Sequence, residues 1–199
     1  MGRPKTYDRE EILDRAMGVF WRQGFDATST SDLERHMEVN RYSLYAEFGS
    51  KQGLYEAALE RYLVHVVPGF IGELQAPDAG LDAIELVLRR FASWAGATGT
   101  ESGCMICNAA TETATDDLAA REFVQRYVTI LEASLGHALQ GAVSRRELVD
   151  DLDTRAWARK LTTTLLGMFV LIRARVDPSL AQDTAAVALD ELRRLSPSS

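Results

Sequence analysis

Apolar residues recur along nearly the whole chain at three- and four-residue spacing, and convincing strand-like alternation is absent. Between residues 8 and 22, Ile12, Leu13, Ala16, Met17, Phe20 and Trp21 form one face of an amphipathic helix that Gly24 ends. Asp8 with Glu11 resembles a capping box built from acids, and Glu10 joins them at the positive end of the helix dipole. Ser29 with Asp32 repeats the capping pattern and predicts a second helix over 30–37, with Leu33 and Met37 on one face. Asn40 is placed to cap a third helix over 41–48. After Gly49 and Ser50 a fourth begins at Lys51, carries Leu54, Tyr55, Ala58, Leu59, Tyr62, Leu63 and Val66 as its stripe, and is expected to stop at Pro68-Gly69. Longer helices are predicted over 81–94, 104–113, 117–142, 153–176 and 178–195, joined by loops at 96–103 and 144–150. The expected fold class is all-α, with about nine helices.

The third helix is short and rich in tyrosine and arginine. If Leu44 and Phe48, four apart, point inward, then Arg41, Tyr42, Tyr45 and Ala46 share the outer face. A helix, a tight turn and a second helix with planar and polar groups near its start form a helix-turn-helix, whose second helix enters the DNA major groove. Arg41 can donate two hydrogen bonds to a guanine edge or pair with phosphate. Tyr42 and Tyr45 offer ring faces to thymine methyls and hydroxyls to phosphates, and Ser43 adds a further hydroxyl. Thr28 and Ser29 at the start of the second helix, Asn40 at the start of the third and Lys51 at the start of the fourth are the candidates for setting register on the backbone. The basic arm around Arg3 and Lys5, extended by Pro4, can lie along a minor groove.

Charge changes how such contacts must work. The chain of 199 residues has a formal net charge of −7 and a sequence pI near 5.0. Residues 1–51 hold eight Lys/Arg against nine Asp/Glu, so no general positive field draws this chain to phosphates, and any contact must be local and geometric. The composition, 46% hydrophobic and 26% charged, is that of an ordinary folded chain rather than a disordered one. The start of the sequence carries charge without an apolar run, and no stretch approaches the roughly 20 apolar residues that span a bilayer, so a cytoplasmic protein with no membrane partner is expected.

The run GFDATSTSDLERHMEVNRYSLYAEFGSKQGLYEAALERY resembles the DNA-binding region of TetR-family repressors, whose pattern has a Thr/Ser-capped second helix and a recognition helix ending in Leu-Tyr-x-x-Phe, then Ser-Lys. Here that reads Leu44-Tyr45-Ala46-Glu47-Phe48, then Ser50-Lys51, and the likeness covers about residues 8–62. Two positions depart from it: Glu38 stands at the turn where the family usually has glycine, and Glu34 where it often has alanine. The resemblance implies a DNA-binding domain over 1–50 and a ligand-binding and dimerisation domain over 51–199. It further implies a homodimer on a near-palindromic double-stranded operator, released by a small-molecule effector. No cofactor is implied.

In the second half, GCMICNAATET at 103–113 resembles a Gly-Cys-apolar stretch of one branch of that family. Cys104 and Cys107 have the spacing of redox or metal pairs, but His36, His65 and His137 are scattered, so no metal site is expected. Either the two are small apolar core residues or Cys104, near a helix start, is a sensing thiolate for oxidants or electrophiles. Candidates for an effector pocket are Phe91, Trp94, Met105, Asn108, Thr111, Tyr127, Trp157, Thr164 and Met168. The last two helices carry wide apolar surface, Leu161, Leu165, Met168, Phe169 and Ile172, then Leu180, Ala181, Thr184, Ala185, Ala188, Leu189 and Leu192. By similarity to the family these form a four-helix dimer interface; the alternative is the core of one chain. A helical enzyme is the remote alternative, because no phosphate loop, HExxH pair or G-x-S-x-G turn is present.

Overall fold

The computed structural model describes residues 8–112 and 118–197, and over them it is all-helical, with no strand among the described residues. In chain order the α-helical segments are α1 (Arg9–Gln23), α2 (Thr30–Met37), α3 (Arg41–Phe48), α4 (Lys51–Arg61), α5 (Val67–Ile71), α6 (Leu81–Trp94), α7 (Met105–Glu112), α8 (Leu118–Ser144), α9 (Thr154–Ala174) and α10 (Ser179–Arg193). A π turn, Tyr62–Val66, joins α4 to α5 without a break, so the ten segments make nine rods among the described residues.

A side chain accepts from one of the orphan amides at each early helix start. Asp8 accepts from the Glu10 amide, Asn40 from Ser43 and Ser50 from Gly53, while Ser29 and Asp32 cap each other reciprocally. Ile12, Leu13, Ala16, Val19 and Phe20 of α1 bury themselves against Leu33 and Met37 of α2, Leu44 of α3 and Leu54, Tyr55, Ala58 and Leu59 of α4. Full burial of a leucine such as Leu33 or Leu44 contributes about 1.5–3 kcal/mol, enough to hold two eight-residue helices that are too short to persist alone. Arg61 then clamps α4 to α1 through a two-pronged bond to Asp14, at 2.5 and 2.7 Å, and a further contact with Glu10. That guanidinium holds the Asp14 carboxyl below its ordinary range.

The fourth rod passes Pro68, where a stop was expected. Pro68 lies directly after the π turn that links the two segments, so its missing amide leaves one gap in a rod that otherwise continues. The π turn before it also has Val67 bonded back to Tyr62. A 3-10 turn, Gly72–Gln75, follows.

In the second half α8 lies along α9, and α10 lies along α6 with Arg193 bonded to Glu85 at 2.8 Å. Leu161, Leu165, Met168, Phe169, Ile172, Ala181, Ala185, Ala188, Leu189 and Leu192 are all buried within the chain. The wide apolar surface of the last two helices is therefore core, because α6 and α8 already cover it; Leu180 and Thr184 stay exposed, beside Val170 and Val187.

Glu38, at the turn between α2 and α3, adopts the left-handed conformation (φ 55, ψ 29) and pairs with Arg15 at 3.3 Å. A side chain there costs roughly 1–2 kcal/mol, against which an exposed ion pair returns less than about 1 kcal/mol. Glu38→Gly is expected to raise the unfolding free energy in urea by up to about 1 kcal/mol, glycine's own chain entropy taking back part of the gain. A fall in stability would show that the Arg15 pair outweighs the backbone strain.

Candidate nucleic-acid interface

The platform beneath α3 is built from Leu44, fully buried, and Phe48, half-buried with the Arg9 guanidinium 5.3 Å from its ring centre. Arg9 also pairs with Glu47 at 3.3 Å, which ties the far end of α3 to α1. On the other side Tyr42 is 85% exposed and Arg41 is exposed beside it. Tyr45 differs from the expectation of an open outer residue. Its ring is half-buried against the core, its hydroxyl bonds the Thr30 hydroxyl at 3.0 Å, and the Arg41 guanidinium lies 5.3 Å from its ring centre. Tyr45 thus props Arg41 and joins α2 to α3, leaving Tyr42 as the free phenol.

Other candidates are occupied by the fold. Thr28 is fully buried and donates to the Gly24 carbonyl at 2.5 Å, so its hydroxyl is not available to phosphate, a correction that follows from the turn curling over it. The Ser29 hydroxyl is shared with Asp32, the Asn40 carbonyl oxygen accepts from Ser43, and Ser43 is half-buried. The Lys51 ammonium sits 4.3 Å from the centre of the Phe25 ring, and burial there lowers its pKa. Arg3 and Lys5 lie outside the described residues. Two contributors were not read from sequence, Thr30 and Glu34. The Glu34 carboxylate accepts the Arg41 amide at 2.5 Å and so stabilises the start of α3, seven residues away across the turn.

Below this unit the end of α1 is fixed to the second half of the chain. The Trp21 indole donates to the Gly103 carbonyl at 2.9 Å, the Phe25 amide donates to Glu112 at 3.1 Å, and Arg173 donates to the Arg22 carbonyl at 3.2 Å. Arg173 and Glu112 also meet, at 3.5 Å. Gly24 is required between these bonds. Its φ is +84, and a Cβ there would fall 2.2 Å from the Glu112 carboxylate.

The nine expected pocket residues do not gather around one cavity. Phe91, Met105, Asn108, Tyr127 and Met168 are buried core, Thr111 is exposed, Thr164 bonds the Lys160 carbonyl, and Trp157 packs at the surface under the Lys160 ammonium. Trp94 alone among them lines an apolar hollow of about 220 Å³ next to Trp21. Cys104 is fully buried, and Cys107 is half-buried. The hydroxyls of Tyr62 and Tyr127 are buried near Cys104 without a hydrogen-bond partner. Burial raises the Cys104 thiol, but the polar groups around it, the Cys107 side chain and amide and the two phenols, favour the thiolate more strongly and bring its pKa from 9.0 to about 7. The Cys107 thiol is pushed far up, chiefly by its bond to Cys104. No group of three or more metal-ligating residues occurs among the described residues. No helix there is long and apolar enough to cross a membrane.

The pattern of bacterial regulatory proteins of the tetR family matches residues 12–58, and that of the tetracyclin repressor-like C-terminal domain matches residues 80–188. The uncharacterized HTH-type transcriptional regulator YezE of Bacillus subtilis (strain 168) is 30% identical over 96% of this chain and 100% of its own length. The HTH-type transcriptional repressor ComR of Escherichia coli (strain K12) is 30% identical over 86% of this chain and 82% of its own. Among solved structures, a cysteine mutant of the TetR family regulator CifR complexed with 26-bp double-strand operator DNA superposes with a TM-score of 0.82 at 28% identity, covering 94% of this chain and 98% of that one. The chain belongs to the TetR family, as a DNA-binding transcriptional regulator.

Proposed function

We propose that this regulator is a homodimeric repressor whose two α3 helices read successive major grooves of a near-palindromic operator and are released by a small molecule bound in the second half of the chain. The observation that carries this reading is the exposure of Arg41 and Tyr42 above a fully buried Leu44. Arg41 is the base reader, Tyr42 contacts a thymine methyl or the backbone, and the first amides of α2 and α4 hold phosphates. Residues 1–50 form the DNA-binding domain and 51–199 the sensing and dimerisation domain, with α4 packed on both. Dimerisation uses the apolar surface that α9 and α10 leave free, Val170, Leu180 and Val187, where Gly167 offers open space for a close approach. The family and the name of ComR favour repression.

The test is a gel shift on DNA that the parent protein selects from a random pool. Arg41→Ala is expected to lose about 1–3 kcal/mol of specific binding, roughly fivefold to 150-fold, with an unchanged melting curve. Parental affinity would refute the role of Arg41.

A second reading of the input is favoured by the two unpartnered phenols around Cys104. A thiolate there attacks the O–O bond of a hydroperoxide, giving a sulfenic acid and an alcohol; the Cys107 thiol then displaces water to form a disulfide. Because the folded pKa is depressed, the thiolate is present above about pH 7 and lost below it. The absorbance at 240 nm of the parent minus that of Cys104→Ser should therefore titrate near pH 7. Tyr62→Phe with Tyr127→Phe should move the midpoint up towards 9.0. A parental midpoint already at 9.0 would sink the thiolate reading.

A further inference from the structure

The 220 Å³ hollow beside Trp21 joins the DNA-binding unit to the rest of the chain. Its walls are Trp21 of α1, Phe70 of α5, Trp94 of α6, Phe169 and Ile172 of α9, and the loop 99–103. The Phe70 and Trp94 ring centres are 4.9 Å apart at 67°, and the Trp94 and Phe169 centres 6.2 Å apart at 31°, so the rings meet edge to face or tilted around the hollow. No charged side chain lines it. Most polar groups of the wall are already bonded: the Trp21 indole to Gly103, the Thr100 hydroxyl to the Trp94 and Ala97 carbonyls, and the Ser102 carbonyl to Asn108. The Ser102 hydroxyl has no hydrogen-bond partner among the described residues.

We propose that this hollow is the effector site and that it takes a neutral, planar aromatic molecule with one hydroxyl or similar polar substituent. The inference rests on the repressor reading and gives its ligand a place and a chemical class. Size fits. A dry apolar cavity of about 150 Å³ accepts benzene, so 220 Å³ holds a substituted single ring or a fused pair. A net charge does not fit, because burying an ion without a partner is costly and the wall supplies no counter-charge. A larger hollow of about 520 Å³ between α8 and α9 is more open and edged by Glu132, His137, Gln140 and Arg155, and no residue of α1 reaches it.

The position explains how occupancy reaches DNA. Trp21 is the one wall residue that comes from the first three helices, and its indole N–H closes one of the bonds that fix the end of α1. A ring wedged against Trp21 presses on the Trp21–Gly103 bond and so favours an orientation of the reading unit in which that bond is broken. By linkage, DNA that favours the bonded orientation lowers the affinity for the ring by the same factor.

The probe is 1-naphthol, with trimethylphenylammonium as a cation of similar size. Titrated into the full-length protein, 1-naphthol is expected to bind in the micromolar range by calorimetry and to weaken binding of the selected DNA at least tenfold, while the cation does neither. Ser102→Leu and Ile172→Phe fill the hollow from two different elements; whichever folds with parental DNA affinity should lose at least tenfold in naphthol affinity. Trp21→Phe keeps an aromatic wall, smaller than the indole, and removes the N–H, so naphthol should still bind but change DNA affinity less than twofold. A protein that binds its DNA yet neither binds naphthol nor responds to it overturns the proposal, as do filled variants that respond like the parent or a cation that binds more tightly. If no DNA is selected at all, the repressor reading fails, and calorimetry on the filled variants still decides the cavity.

Discussion

The end of α1 is held by two packing systems at once, and the placement of the reading helix follows from that. Its apolar stripe from Ile12 to Phe20 is part of the core that supports α2, α3 and the start of α4. One residue further on, Trp21 turns to the other side, where its ring meets Tyr62 at 5.1 Å and its N–H meets the Gly103 carbonyl. With the bonds from Phe25 to Glu112 and from Arg173 to Arg22, this leaves the three-helix unit little freedom to tilt relative to α7 and α9. These bonds are few, and Arg173 and Glu112 are partly exposed, so a change in one contact can shift the balance between orientations.

The surface so positioned works without help from a long-range field. The chain as a whole is acidic, and Glu34 and Glu38 bring carboxylates close to α3. Each has a partner that keeps it useful to the fold, the Arg41 amide for Glu34 and the Arg15 guanidinium for Glu38. Capping by Glu34 strengthens the short reading helix while placing a negative charge near phosphates, and the two effects oppose each other in DNA affinity. In the proposed reading, specificity then comes from Arg41 and Tyr42 at short range, with weak attraction to DNA of other sequence.

Much of the first half was legible in the sequence because its determinants are local. The limits of α2 and α3 follow from the Ser29/Asp32 and Asn40 caps and from Gly49, and the inward Leu44 from its spacing. The left-handed Glu38 was readable as a departure from the family's glycine. What escaped depends on contacts between distant residues. The burial of Thr28 is set by how the chain turns after Gly24, the half-burial of Tyr45 by Thr30 on a neighbouring helix, and the passage through Pro68 by a π turn with no periodic signature. The apolar stripes of α9 and α10 looked the same whether they faced a partner or α6 and α8, since periodicity says that a face is buried and not by what. The hollow was invisible for the same reason, as Trp21, Phe70, Trp94 and Phe169 come from four separate segments.

In the proposed mechanism the bonds at the end of α1 set the orientation of the DNA-reading unit. This is tested most directly by electron–electron distance measurement between spin labels on Ala27→Cys, exposed in the turn between α1 and α2, in the two protomers of the proposed dimer, with Cys104 and Cys107 replaced by Ser. The expected result is a narrow distribution in the DNA-bound dimer and, in the free dimer, a clearly broader one for Glu112→Ala, which lacks the contacts to Phe25 and Arg173, than for the protein that keeps Glu112. Identical widths with and without Glu112 would contradict it.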